Sequence, residues 1–161
     1  MSSFSADDVA FLRRALELAR ENVARGDGGP FGAVVVKDGR IIAEGWNRVI
    51  ATCDPTAHAE VEALRKAGAA LSSFHLAGTT LYASSEPCPM CLAAAFWARV
   101  ARIVHANPRL EAAKAGFADD AFYAELALPP EQRQLPVEYL ALPDANLPFA
   151  LWHAKADKTL Y

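Results

Sequence analysis

Two short segments of the chain carry residue types that bind metal ions. The segment EPCPMC at 86–91 places Cys88 and Cys91 three residues apart. At this spacing two side chains lie on one side of a first helical turn, where the partial positive charge of the helix N-terminus favours thiolate over thiol. Two thiolates supply half of the ligands of a tetrahedral zinc ion, so the other half must come from elsewhere in the chain.

The second segment, DPTAHAEVEALRKAG at 54–68, places His58 and Glu60 two residues apart. Residues at this separation do not share a helix face, so packing alone does not explain the pair. His58 with the two cysteines gives three protein ligands and an open fourth position, the pattern of a catalytic zinc site. Zinc in such a site lowers the pKa of a bound water molecule towards ~7, and Glu60 would carry the proton of that water.

The C-x-x-C pair has two other interpretations. It can be a dithiol redox motif, or half of a closed structural zinc site with four protein ligands, as in a binding module without activity. The closed site would take Cys53, five residues before His58, as its fourth ligand. The order H-A-E and then P-C-x-x-C, about thirty residues later, instead matches the signature of zinc-dependent nucleobase deaminases.

Periodicity and turn signals predict the elements that position these residues. The predicted helices cover 6–25, 55–67, 87–100, part of 110–126 and most of 146–161, with a loop or short helical turn at 128–136. The predicted strands are a hairpin at 31–45 that turns at Asp38-Gly39, and 79–84, 101–106 and 137–142. In the segment 54–68, Pro55 suits the first helical position and Gly68 the helix end. Strands separated by helices pair in parallel, so we expect an α/β fold with a mixed sheet covered by helices on both faces.

Composition excludes several classes of protein. The 161 residues are 53% hydrophobic and 22% charged, enough for one globular domain over 1–161. No apolar run approaches the ~20 residues of a membrane helix, and the N-terminus lacks the pattern of a secretion signal, so we expect a cytoplasmic protein. The net charge of −3 and the scattered basic residues argue against a nucleic-acid substrate.

The motifs resemble a known family. PTAHAEV at 55–61 and SEPCPMC at 85–91 are similar to segments of the cytidine deaminase-like superfamily, and GGPFGAVVVKDGRIIAEGWN at 28–47 extends the likeness. Within the superfamily, AGF at 115–117 followed by Asp119, and DKTLY at 157–161, resemble the small bacterial guanine deaminases. The resemblance implies a three-layer α/β/α fold, zinc-dependent hydrolysis of guanine to xanthine and ammonia, and a homodimer. Exchange of the C-terminal segment 146–161 between subunits stays open.

The resemblance also implies roles for single residues. His58, Cys88 and Cys91 would bind zinc, Glu60 would shuttle protons, and Asp119 would be a second catalytic acid. Asp120 is the alternative for that acid because it is adjacent. The implied substrate contacts are Phe31 under the base, Asn47 at the purine ring, Ala59 beside His58, Trp97 at the pocket border and Tyr161 as a closing residue.

Plainer interpretations of these residues also stand. Asn47 could be a turn residue, Phe31 a core residue and Asp119 a helix cap. Trp97 lies in a hydrophobic helix and could be core rather than pocket. A deaminase of guanosine or of another aminated ring would share every catalytic residue, and a tRNA adenosine deaminase would add a basic groove.

Overall fold

A computed structural model describes residues 4–117 and 119–160 and divides the chain into two compact units, Met1–Tyr123 and Ala124–Tyr161. The expectation of one domain over 1–161 therefore stays a prediction. The helices are α1 Ala6–Arg25, α2 Val49–Thr52, α3 Ala59–Leu71, α4 Pro89–Trp97, α5 Arg109–Lys114, α6 Asp119–Ala127 and α7 Leu147–Ala154, with a 3₁₀ turn at Pro130–Gln132. The strands are β1 Gly32–Lys37, β2 Arg40–Trp46, β3 Thr79–Ser85 and β4 Arg102–Asn107.

These strands form one mixed sheet, as expected, and their order in the sheet is β2-β1-β3-β4. β1 pairs antiparallel with β2 and β3, and β3 pairs parallel with β4. The predicted hairpin turn is present, with φ of 50° at Asp38 and 72° at Gly39, the left-handed conformations that a tight hairpin requires.

Helices cover both faces of the sheet, which confirms the three-layer α/β/α architecture. β1 is buried on both sides because its residues alternate between two cores. Ala33 and Val35 belong to the core that includes α3 and α4 residues, whereas Val34 and Val36 pack with Leu18 of α1. The sheet is thus held in the middle of the unit, and the ends of its strands are free to carry a site.

Two predicted elements are wrong in detail. The helix of segment 54–68 begins at Ala59, because the Asp54 carboxylate accepts hydrogen bonds from the amide and hydroxyl of Thr56 and forms a turn there. It continues through Gly68 and ends where Ser72 adopts φ of 49°. The predicted strand at 137–142 is not a strand. Its side chains are exposed, and the described residues offer it no neighbouring strand for backbone hydrogen bonds.

A buried carboxylate fastens α1 to the sheet. Asp8 and Ser5 form a reciprocal capping box at the start of α1. The same carboxylate accepts a 2.6 Å hydrogen bond from the Tyr82 hydroxyl of β3 and a 2.8 Å hydrogen bond from Arg102 of β4. These partners, the Tyr82 hydroxyl first, hold the pKa of Asp8 well below its ordinary value.

This network predicts how stability depends on pH. Because the folded-state pKa of Asp8 is lowered, its contribution is present above the ordinary carboxyl pKa of about 4 and is lost as the pH falls towards the folded-state pKa. Asp8→Asn should therefore lower Tm at pH 7, and the difference from wild type should shrink below about pH 4. Calorimetry over a pH series checks this, with Asp7→Asn as control. An equal Tm deficit at every pH would contradict it.

The unit Ala124–Tyr161 has a different character. It contains the end of α6, the 3₁₀ turn and α7, and none of its described residues is buried. Its exposed large apolar side chains include Leu135, Val137, Tyr139, Leu140, Leu142, Phe149, Leu151 and Leu160. In the part of the chain that the structure describes, no helix is long and apolar enough to cross a membrane.

Candidate metal and catalytic site

The three sequence-predicted metal ligands converge at the N-terminal ends of two helices. His58 immediately precedes α3, Cys88 immediately precedes α4, and Cys91 lies in the first turn of α4. Nδ1 of His58 is 3.6 Å from Sγ of Cys88 and 3.5 Å from Sγ of Cys91. A close approach of α3 to the sheet supports this placement, because a Cβ on Gly45 of β2 would lie 2.2 Å from the carbonyl oxygen of Ala59.

The spacing of the ligand atoms fits a tetrahedral zinc ion. Zn–S bonds of about 2.3 Å and a Zn–N bond of about 2.05 Å, at tetrahedral angles, separate sulfur from nitrogen by about 3.6 Å. The two observed S···N distances match this separation, and all three ligand atoms lie within 4.8 Å of one another. Among the described residues, no fourth protein ligand joins the group. Cys53, the candidate fourth ligand, is an exposed free cysteine outside it.

Hydrogen bonds among the three side chains of the cluster shift their pKa values. A hydrogen bond from the Cys91 thiol, followed by the contact with His58, lowers the pKa of Cys88 to about 4. The same bond, together with burial, raises the pKa of Cys91. Contact with Cys88 raises the pKa of His58. A zinc ion held by His58, Cys88 and Cys91 would take the place of the protons on these side chains, since zinc binds thiolates and a neutral imidazole.

Glu60 lies beside the cluster but is not a member of it. It is buried in the first turn of α3, and its Oε2 accepts a 3.5 Å hydrogen bond from the Cys91 thiol. Burial raises the pKa of Glu60 to about 7. A carboxyl group with a pKa near neutrality, next to an open metal site, is suited to accept and return a proton.

A cavity of about 660 Å³ opens onto this group. Its volume lies in the range of small-molecule sites. Cys88 lines it, and so do five other residues predicted from the sequence, namely Phe31, Asn47, His58, Glu60 and Asp119. Two other lining residues, Phe117 and Glu86, were not singled out from the sequence although both lie in quoted motifs, AGF and SEPCPMC. Phe117 packs edge-on against Phe31 with ring centroids 4.9 Å apart.

The structure does not bring every predicted contact to the cavity. Ala59 is buried at the start of α3 and is not among the lining residues. Trp97, expected in the core or at the pocket border, is 65% exposed near the end of α4 and lies outside the cavity lining. Tyr161 lies outside the described residues. The roles assigned to Ala59, Trp97 and Tyr161 in substrate binding stay predictions.

The carboxamide of Asn47 has a defined orientation at the cavity wall. One side-chain atom accepts hydrogen bonds from the backbone amides of Gly29, at 3.1 Å, and Val49, at 3.2 Å. An atom that accepts from two N–H groups must be the oxygen, Oδ1. The described residues accept no hydrogen bond from Nδ2, so its two N–H donors are available to a ligand. Asn47 therefore has both the turn role and the cavity position that the sequence left as alternatives.

Burial also affects the acid predicted at the far side of the cavity. Asp119 is the first residue of α6 and is half-buried among the lining residues. Burial raises its pKa, and the negative charge of Cys88 adds to the effect. Asp120, the alternative for this role, is not among the lining residues.

Comparison with known proteins places this geometry in a family. Residues 5–107 match the model of the cytidine and deoxycytidylate deaminase zinc-binding region. The chain is 50% identical to a guanine deaminase of Bacillus subtilis, over 94% of this chain and 97% of that protein. It is 47% identical to a tRNA-specific adenosine deaminase of Haemophilus influenzae, over 60% of this chain and 56% of that protein.

A solved structure shows the same fold. The X-ray structure of guanine deaminase from Bacillus subtilis superposes with a TM-score of 0.93 and 47% identity, and the match covers 98% of this chain and 99% of that chain. The matched region includes the histidine, both cysteines and the glutamate of the site. The chain therefore belongs to the cytidine and deoxycytidylate deaminase family of zinc-binding proteins.

Proposed function

We propose that this chain catalyses the hydrolytic deamination of guanine to xanthine and ammonia. The observation that carries the proposal is the three-ligand cluster of His58, Cys88 and Cys91 at a cavity that the first two of them line, with Glu60 buried beside it. Similarity to the Bacillus subtilis guanine deaminase over nearly the whole length of both chains supports guanine as the ring.

The reaction needs one water molecule and two proton transfers. A C–O bond forms at C2 of guanine, the bond from C2 to the exocyclic nitrogen breaks, and the amine leaves as ammonia. Zinc held by His58, Cys88 and Cys91 supplies Lewis-acid activation of the water. Glu60 accepts the first proton of the attacking water on its carboxylate and delivers it to the ring nitrogen. It then takes the second proton from the oxygen now bonded to C2 and delivers it to the departing amine, which leaves as ammonia while the C2 carbonyl of xanthine forms.

Other residues of the cavity orient the base. Asn47 directs the N–H donors of Nδ2 at an acceptor on the purine, because its Oδ1 is occupied by backbone amides. Phe31, fixed by its contact with Phe117, packs against the flat face of the ring. Asp119 acts as the second acid. Its raised pKa keeps a proton available more readily than an exposed carboxyl group would.

An ammonia-release assay of the zinc-loaded protein tests the function. The substrates are guanine, guanosine, adenine and cytosine, each supplied at the same concentration. Release from guanine alone is expected. Release from guanosine or another ring would keep the deaminase chemistry and overturn the specificity. Ammonia release with conversion of adenosine to inosine in an added tRNA would favour the tRNA-editing alternative.

The second acid gives a separate prediction. Asp119→Asn should lower kcat/KM for guanine by about 10²-fold, because the amide cannot donate the proton of a carboxylic acid. Zinc content and Tm should stay at the wild-type level. Asp120→Asn, the same change at the neighbouring position, is the control and should have little effect. Steady-state kinetics of both variants checks this, and the reverse pattern would move the role to Asp120.

We also propose that the protein is a homodimer. The unit Ala124–Tyr161 exposes many large apolar side chains. The surface of a monomeric soluble protein rarely carries so many close together in the sequence. A second copy of the chain could cover them, with or without exchange of the segment 146–161. Sedimentation of the full chain should give twice the monomer mass of 17.3 kDa. The cytoplasmic location stays a prediction from the sequence.

A further inference from the structure

One buried polar side chain near the cavity has no part in the proposed reaction. Asn22 lies in the last turns of α1 and has no exposed surface. Its Nδ2 donates one 2.8 Å hydrogen bond to the carbonyl oxygen of Gly29 and another to that of Asn47. Both N–H donors of the carboxamide are thus used.

The two bonds of Asn22 join the loop before β1 to the loop after β2. Gly29 in turn donates its amide to Oδ1 of Asn47, so Asn22, Gly29 and Asn47 form a closed hydrogen-bonded ring of groups. Asn47 also donates its backbone amide to the carbonyl of Phe31. A shift of either loop would therefore change where the Asn47 carboxamide points.

The packing around Asn47 leaves little room for adjustment. A Cβ on Gly28 would lie 2.1 Å from Oδ1 of Asn47 and 2.9 Å from its carbonyl oxygen. Meanwhile Oδ1 of Asn22 is buried without a hydrogen-bond partner among the described residues. An apolar side chain of similar size would avoid that cost, so the value of asparagine at position 22 lies in its two donors.

We propose that Asn22 is a positioning residue for substrate recognition, which fixes the carboxamide of Asn47 by holding both loops that carry its hydrogen-bond partners. Asn22 does not touch the cavity itself. The effect on turnover rests on the proposed function, through the role of Asn47 at the purine. The hydrogen bonds among Asn22, Gly29 and Asn47 do not depend on which substrate the enzyme deaminates.

A double-mutant cycle tests the functional half. Asn22→Leu should lower kcat/KM for guanine about tenfold or more, mainly through KM, with zinc content unchanged. In an Asn47→Ala background the same change should cost less than about threefold, because the group that Asn22 positions is already gone. Additive losses would show that Asn22 acts only on general stability and would overturn the proposal.

Amide hydrogen exchange followed by NMR tests the structural half without any substrate. Asn22→Leu should speed exchange of the Gly29 and Val49 amides, which Asn47 holds, while core amides of β1 stay protected. Thr79→Val is the matched control. It removes a buried 2.7 Å hydrogen bond to the Leu76 carbonyl at the start of β3, and neither residue lines the cavity. Unchanged exchange at Gly29 and Val49 would overturn the proposal.

Two further results keep the outcomes separate. If Asn22→Leu does not fold, Asn22→Ser replaces it in both experiments, since serine is small enough for the same space. Faster exchange of the Gly29 and Val49 amides in the variant would support the positioning role even without guanine turnover by the wild-type protein, a result that would refute only the proposed function.

Discussion

Glu60→Gln should lower kcat for guanine by about 10³-fold or more while the protein keeps its zinc. The amide has nearly the shape of the carboxyl group but cannot accept a proton from water, and a positioned proton carrier contributes 10²- to 10⁴-fold to such reactions. Glu60 does not belong to the ligand group, so the cluster should bind metal as before. Zinc analysis and steady-state kinetics on the same sample measure both effects.

A matched control lies two residues further along α3, in the same helix turn. Glu62→Gln makes the same chemical change in α3, but Glu62 pairs with Arg65 and does not line the cavity. Its kcat should stay within about twofold of wild type, because Glu62 pairs with the half-exposed Arg65 and takes no part in the proposed proton transfer. Near-normal turnover by Glu60→Gln would remove Glu60 from the proton transfer. Loss of zinc in that variant would instead assign Glu60 to metal binding.

The parts of the site that could be predicted from sequence are those where residue type and spacing restrict the chemistry. Cysteines three apart at a helix start, with a histidine elsewhere, have few uses besides metal binding, and the structure brings them together. The sheet was predictable for a similar reason. Asp38-Gly39 between two apolar runs specifies a hairpin, and the strand patterns of β3 and β4 with α4 between them specify a parallel pair.

The wrong details concern features that local sequence leaves ambiguous. Asp54 and Pro55 fit a helix start and a tight turn equally well, and only the structure shows the turn. Trp97 is apolar, but its type does not say which face of α4 it occupies. VEYLAL has strand propensity, which produces a strand only where a partner strand is available.

Asn22 illustrates a stronger limit. It is one polar residue within an amphipathic helix, and its partners Gly29 and Asn47 are 7 and 25 residues away in the sequence. No periodicity or motif marks such a residue, because its role exists only once three separate segments have packed together. Residues that position other residues cannot in general be identified from motif spacing, whereas metal ligands and proton carriers often can.

Cys91→Ser should abolish both zinc binding and turnover. The hydroxyl of serine is a poor substitute for thiolate, and Cys91 is one of only three protein ligands in the group that the described residues form. Zinc content should fall from about one ion per chain to near zero. A bound ion also stabilises the folded state by mass action, so a chelator should lower Tm of the wild-type protein and leave that of Cys91→Ser unchanged.

Cys53→Ser is the matched control, because it makes the same replacement at the exposed cysteine outside the cluster. It should keep its zinc, its turnover and the drop in Tm on chelation. This comparison also separates a catalytic site from a closed structural one. A closed site needs four protein ligands, and Cys53 is the remaining cysteine of the chain. Retained zinc in Cys53→Ser, with loss of zinc in Cys91→Ser, would indicate three protein ligands and a fourth position open for the water that the reaction consumes. Loss of zinc from both variants would instead indicate a closed site with four protein ligands.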